Sequence, residues 1–289
     1  LIGRDEISVL QLSEVMARLT VQVVHQPGLS VVIEDLLRFE GDEIYFSHIP
    51  QVSGREFRDA QLMFEDSTVI GVQVKNGETK LNPPMDYVLQ PEDKIIAISE
   101  DDDTVVANGH PDKAARDEKI TVSARSGHKP VHTVILGYST RMKMIIQELA
   151  NYFPVGSTLQ LFVQEHYIDK TKGLTTDHLN ISINSGEITS RKFLESLNLA
   201  ETDYVMILSE PELSIQQADA NTLVSLLHVR DIIQKNNFDT NIVSEMLDPR
   251  NSDLARISKK NDIIVSDKLV SLLISMISEN KDLKPVIDD

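Results

Sequence analysis

Apolar positions along this chain change their period several times, and each change marks a new element. Leu12, Val15, Met16, Leu19 and Val23 step by three, one, three and four residues, which puts them on one helix face. Pro27-Gly28 interrupts that helix, and Val32, Ile33, Leu36, Leu37 and Phe39 carry a second, short one. From Asp42 to Ile49 the period drops to two, with Ile44, Phe46 and His48 on one side, as in a half-buried strand. A short helix is predicted around Phe57 to Phe64, then a strand from Thr68 to Val74. Asn76-Gly77 predicts a tight hairpin turn, since both residues tolerate positive φ, and Lys80-Leu81 returns from it. Asn82-Pro83-Pro84 stops the return strand, and Asp93 to Ser99 closes a compact β-rich unit.

From Glu100 to Pro130 no period survives, which predicts a linker or exposed loop. Beyond it, strands and helices alternate. Strands are expected at Val131 to Leu136, Thr158 to Val163, Leu179 to Ile183, Tyr204 to Leu208, Asn241 to Met246 and Asp262 to Val265. Helices are marked by Met142, Ile145, Ile146 and Leu149, by Phe193, Leu194 and Leu197, by a long stretch from Ser214 to Lys235 carrying Leu223, Leu226, Leu227, Val229 and Ile233, and by Lys268 to Ile277. Asp248-Pro249 supplies an N-cap followed by proline at the first helical position. Such alternation predicts a parallel, doubly wound α/β sheet. The closing strand and helix resemble a strand at Glu6 to Val9 followed by the helix from Leu12, as though the chain opens on the tail of a truncated first copy.

Composition narrows the function classes. The 289 residues suit two domains, each able to bury a core, and 41% hydrophobic with 25% charged residues is ordinary for a soluble globular protein. Lys and Arg number 28 against 45 Asp and Glu, a net charge of −17 that repels a phosphate backbone, so nucleic acid is not an expected partner. The absence of Cys excludes disulfides, Cys-ligated zinc and thiol catalysis. The best apolar run, Leu269 to Ile277, is about half the roughly 20 residues of a membrane helix and is broken by Ser271 and Ser275. No basic region followed by an apolar stretch signals a leader, and the chain begins on Leu1, so it is expected to be a fragment whose missing part has room for a membrane segment.

The β-rich unit reads Val52-Ser53-Gly54-Arg55-Glu56-Phe57-Arg58-Asp59, Val69-Ile70-Gly71-Val72, Asn76-Gly77, Leu81-Asn82-Pro83 and Leu89-Gln90-Pro91-Glu92-Asp93-Lys94-Ile95-Ile96. This resembles the smaller C-terminal lobe of RCK (TrkA-type) regulatory domains. The later lobe, with Ser185-Gly186-Glu187, Leu197-Asn198-Leu199, Asp203-Tyr204-Val205-Met206 and Asp248-Pro249-Arg250-Asn251, resembles their Rossmann-like N-terminal lobe. His25-Gln26-Pro27-Gly28-Leu29, Glu34-Asp35-Leu36-Leu37-Arg38-Phe39-Glu40, Ile98-Ser99-Glu100-Asp101-Asp102-Asp103-Thr104, Phe193-Leu194-Glu195-Ser196-Leu197, Gln217-Ala218-Asp219-Ala220, Val229-Arg230-Asp231-Ile232 and Glu245-Met246-Leu247-Asp248-Pro249-Arg250 are similar to the CASTOR/POLLUX branch of ion channels. The resemblance implies the cytosolic gating region of a tetrameric cation channel. Two tandem RCK units per subunit would assemble into a homo-tetrameric ring that pulls on a pore domain of the same full-length chain. In plant members of this branch, calcium acts on the ring. The resemblance also implies a crossover helix near Leu12 to Val24 that packs on a neighbouring subunit, although packing within one chain explains its apolar face equally well.

Candidate chemistry lies in three places. The first later-lobe strand ends Leu136-Gly137-Tyr138-Ser139-Thr140-Arg141, where a dinucleotide fingerprint would place G-x-G-x-x-G. Only Gly137 remains of it; Arg141 offers a cation to an anion, and Glu165 after the next strand is placed for ribose hydroxyls, but no dinucleotide is expected. Glu100, Asp101, Asp102 and Asp103 form the densest acidic run, and Glu40, Asp42 and Glu43 a second cluster at the entry to the β unit. Calcium takes 6–8 oxygens, so either cluster is a candidate calcium site, set against the plain reading of each as solvated surface charge; no EF-hand spacing occurs. Eight scattered His without an H-x-x-x-H pair on a helix, and no G-x-S-x-G, leave no enzyme signature.

The expected organisation is therefore the tail of a first RCK N-lobe with crossover helices (1–40), an α+β RCK C-lobe-like unit (41–103), a linker (104–127) and a second, doubly wound RCK N-lobe (128–289). The expected role is regulatory, with calcium as ligand, at the cytoplasmic face of a membrane. A nucleotide-sensing subunit of a potassium-uptake system and a dinucleotide-dependent oxidoreductase are the alternatives.

Overall fold

The computed structural model describes residues 11–109, 129–255 and 261–288. The strand expected at Glu6 to Val9, most of the linker, and His110 and His128 lie outside the described residues. By their contacts, residues 11–32 and 129–271 form one compact unit and residues 33–109 and 272–288 another. This grouping cuts across the four segments expected from the sequence: the opening helix sides with the later lobe, and the last residues side with the β unit.

The described residues begin with helices α1 (Leu12–His25) and α2 (Leu29–Leu36), joined through Gly28 at φ +90°. The smaller unit follows. Its sheet takes β1 (Glu43–Ser47), β2 (Thr68–Gln73), β3 (Thr79–Leu81) and β4 (Lys94–Ser99), all antiparallel, in the order β1-β4-β2-β3. Short helix α3 (Phe57–Ala60) runs into a 3₁₀ turn at Gln61–Met63. Phe57, Ala60, Val72, Leu89, Ile95 and Ala97 are buried in a single cluster, each large side chain worth roughly 1.5–3 kcal/mol. The Asn76-Gly77 hairpin forms with one change. Only Gly77 takes positive φ (+84°), Gly77 N donates to Val74 O and Val74 N to Glu78 O, and the Asn76 side chain accepts from Glu78 N at 3.0 Å. Asn76 serves through its amide oxygen and not through a left-handed backbone.

Among the described residues the larger unit holds six parallel strands: β5 (His132–Leu136), β6 (Thr158–Val163), β7 (Asn180–Ser185), β8 (Tyr204–Ile207), β9 (Asn241–Met246) and β10 (Asn261–Val265). The order β10-β9-β8-β5-β6-β7 reverses between β5 and β8, the doubly wound arrangement read from the alternation. Its helices are α4 (Met142–Tyr152), α5 (Arg191–Glu195), α6 (Ile215–Asn236) and α7 (Pro249–Ala255); α8 (Ser266–Glu279) starts in this unit and ends in the smaller one, and α9 (Lys284–Asp288) ends the described chain. Met142, Ile145, Ile146 and Leu149 all face inward, as their spacing predicts.

Two expectations are corrected. Helix α1 buries Val15, Met16, Ala17, Val21, Val23 and Val24, and it packs on α4, β9 and β10 of the same chain. The apolar face expected to meet a neighbouring subunit is covered internally. Helix α6 turns Ala218, Asp219, Thr222, Ser225, Leu226, Val229, Ile232 and Ile233 inward and leaves Leu227 40% exposed. Small polar residues share the inner face because they have partners there: Ser225 Oγ donates to Ile188 O at 2.9 Å, and Asp219 accepts from Leu247 N and Asp248 N. Asp262, buried at the start of β10, accepts from Gly28 N at 2.6 Å and from Ser30 Oγ at 2.5 Å.

Candidate functional site

Antiparallel pairing of β1 with β4 sets Glu43 opposite Ser99. The two acidic clusters, some sixty residues apart in sequence, are thereby delivered to one end of the small sheet. The acidic run there has a fixed backbone. A 3₁₀ turn at Asp102–Thr104 is closed by a capping box: Asp101 Oδ1 accepts from Asp102 N at 2.7 Å, and Thr104 Oγ1 accepts from Asp101 N at 3.0 Å. Ser99 Oγ shares a 2.7 Å hydrogen bond with Thr104 Oγ1 and a 2.8 Å one with Ser67 Oγ, pinning the turn to the sheet.

The carboxylates of Asp101, Asp102 and Asp103 lie within 4.8 Å of one another and are exposed. Glu43 is half-buried beside them. Its carboxyl is pushed above the usual range by burial first, then by the charges of Glu279 and Asp101. Tyr45 on β1 is raised by burial and by the same surroundings, Glu43, Asp101, Asp102 and Glu279. Glu279, at the end of α8, is a member that sequence reading missed; nothing local distinguishes it from any other acid at a helix end. Glu40, Asp42 and Glu100 are exposed, and Glu40 acts on Arg38 instead. The arrangement is a crowded set of like charges on a rigid turn, which a multivalent cation would relieve.

The carboxyl edge of the large sheet has a different character. Gly137 takes φ +93°, and a Cβ there would stand 2.5 Å from Leu208 O, so this glycine serves the close approach of two strand ends. Tyr138 stacks on buried Tyr167 with centroids 4.6 Å apart and planes 16° off parallel. Arg141 turns inward to an ion pair with buried Glu245, and Ser266 Oγ donates to the same carboxylate at 2.5 Å. The guanidinium is thus engaged by an internal partner and not presented to an anion, because a buried Glu245 requires it. Glu165 opens a 3₁₀ turn, Glu165–Thr171, and is exposed. Gly137, Arg141 and Glu165 thus have separate settings: a close strand-end approach, an internal ion pair and an exposed 3₁₀ turn. Among the described residues no helix is long and apolar enough to cross a membrane.

Comparison with known proteins bears out the resemblance read from the residues. Residues 13–114 match a family model described as Castor and Pollux, part of voltage-gated ion channel. Along its whole length the chain is 30% identical to the probable ion channel CASTOR of Oryza sativa subsp. japonica and 30% identical to the probable ion channel POLLUX of Arabidopsis thaliana. It spans 37% and 40% of the lengths of those two relatives. Among solved structures, the human SLO3 gating ring superposes with a TM-score of 0.66 at 13% identity, over 96% of this chain and 60% of that one, a likeness of fold.

Proposed function

We propose that this chain, CASTOR/POLLUX-like from end to end, is part of the gating ring of a cation channel. It binds calcium at the acidic end of its small sheet and passes that binding to a pore carried elsewhere in the full-length protein. The grouping of Asp101, Asp102 and Asp103 within 4.8 Å of one another on one capped turn, with Glu43 and Glu279 adding negative charge to the surroundings, is the observation that carries this reading. A calcium ion takes 6–8 oxygens at 2.3–2.6 Å, and the exposed rim leaves room for water to complete the shell. The role is regulatory, without bond-making.

Ligand-driven gating requires a preference of the ion for one ring state over another. A tenfold preference per site is about 1.4 kcal/mol. Four copies in a tetramer sum to about 5.5 kcal/mol, enough to carry a two-state equilibrium from 1:99 to 99:1. Assembly through other copies of the chain is supported by apolar side chains left open on the outer helices of the large unit: Val224 and Leu227 on α6, and Leu254, 60% exposed, on α7. The ring would stand at the cytoplasmic face of the membrane that holds the pore.

Calorimetric titration with calcium tests the reading. Saturable heat is expected from the intact chain, with affinity lowered at least tenfold when Asp101→Asn, Asp102→Asn and Asp103→Asn are combined. Equal titrations of the two proteins, or no calcium heat from either, would refute it.

A further inference from the structure

The amino edge of the large sheet, opposite Gly137, carries an open cleft of about 390 Å³, within the roughly 300–1,000 Å³ usual for small-molecule sites. It is bordered by α5, the 3₁₀ turn Leu199–Glu201 ahead of β8, and the end of α6 with Phe238 ahead of β9. Its floor is apolar. Leu199 and Ile232, 1% and 6% exposed, belong to the core of the large unit, and half-buried Leu197 and Phe238 pack against that core. The backbone beneath Phe238 is fixed by the close of α6. Asn237 takes φ +55°, its N–H donates to Gln234 O, and Phe238 N donates to Ile233 O at 3.0 Å. Asn236 Nδ2 donates to Ile232 O at 2.8 Å. The carbonyls of Ile232, Ile233 and Gln234 therefore have donors already, and what the floor offers a ligand is hydrocarbon.

The rim is charged. Arg191 Nη1 and Lys235 Nζ meet on Asp231 Oδ2, at 2.7 and 2.9 Å, and Arg191 Nε donates to Glu195 Oε1 at 2.7 Å. Both cations thus reach one carboxylate-sized point beside the apolar floor. A guanidinium has five N–H groups and an ammonium three, so each keeps capacity for a further acceptor. Arg191, Lys235, Asp231 and Glu195 are all more than a third exposed, and ion pairs standing in water exchange partners at little cost.

We infer that this cleft binds a small carboxylic acid with an apolar body. The hydrocarbon lies on Leu197, Ile232 and Phe238, and the carboxylate takes charge-assisted hydrogen bonds from Arg191 and Lys235. A bound acid ties α5 to the end of α6. It gives the large unit an input of its own, separate from the acidic end of the small sheet and without need of calcium.

Displacement of the fluorescent aromatic sulfonate ANS from the intact chain, in calcium-free buffer, tests this. Octanoate, octanol and octylammonium carry the same hydrocarbon with a negative, a neutral and a positive head. Octanoate is expected to displace ANS saturably, octanol about tenfold more weakly for want of the charge-assisted contacts, and octylammonium more weakly still. Arg191→Gln combined with Lys235→Gln, both on exposed residues, should weaken octanoate about tenfold and leave octanol unmoved, which also reports an intact cleft. Phe238→Ala should weaken both compounds, and Leu197→Ala serves if that variant does not fold. No saturable displacement, octanoate no better than octanol, or octanoate titrations unmoved by the substitutions would overturn the inference. The combined Asp101→Asn, Asp102→Asn and Asp103→Asn protein should give the same octanoate titration as the intact chain, so this idea and the calcium reading fail on separate measurements.

Discussion

Two carboxylate-rich regions of this molecule have opposite fates. At the end of the small sheet, Asp101, Asp102 and Asp103 remain exposed, side by side on a hydrogen-bonded turn. At the carboxyl edge of the large sheet, Glu245 is buried and neutralised by Arg141, and the tyrosine stack fills space beside it. The first arrangement leaves its carboxylates open to an ion; in the second, Glu245 already has its counter-charge. Side-chain type does not decide which acids await a ligand. Burial and the presence of an internal counter-charge do.

That contrast can be broken most sharply at Glu245. Glu245→Ala leaves Arg141 without its partner and should cost about 3 kcal/mol in urea unfolding, whereas neutralising exposed Asp102 should change metal-free stability by less than about 0.5 kcal/mol. Equal effects would erase the distinction. Next in size, calcium at one hundred times its Kd should stabilise the intact chain by about 2.7 kcal/mol, and the triple Asp→Asn protein by far less, in thermal melts with and without chelator. Gly137→Ala should cost about 2 kcal/mol, since the added methyl meets Leu208 O and the backbone stays left-handed; a neutral result would mean the two strand ends part easily.

The smallest effect is a pH slope. Glu43 has a folded pKa above its ordinary 4.5, so the fold holds that proton more tightly than the unfolded chain does. Its contribution is present below pH 4.5 and is lost as pH rises through the higher folded value. Metal-free stability measured across that window should show this loss, and Glu43→Gln should flatten it. A slope of opposite sign would place Glu43 in favourable company instead.

Regular elements were legible in the residues where the apolar pattern is short and clearly bounded. The expected strands Thr158 to Val163 and Asn241 to Met246 match β6 and β9 residue for residue; β9 is buried almost throughout, whereas β6 alternates, with Gln160 exposed. Helix α6 misled at Leu227, because its inner face is partly polar and its outer face partly apolar, and periodicity counts only hydrophobicity. The acidic run was visible as a run. Its meeting with Glu43 depends on strand register, and its meeting with Glu279 on a fold-level return of the chain, neither of which local pattern encodes. The Arg141–Glu245 pair joins residues 104 apart, so Arg141 looked available when it was not.

Asp262 joins parts of the larger unit that are more than two hundred residues apart, by accepting from Gly28 and Ser30. A shortened protein ending before β10 would strip the Gly28 bend of its acceptor and α1 of part of its packing surface, so trimming at the far terminus should make the opening helices susceptible to protease. A circular permutant that keeps β10, by contrast, should retain them even with new chain ends cut elsewhere.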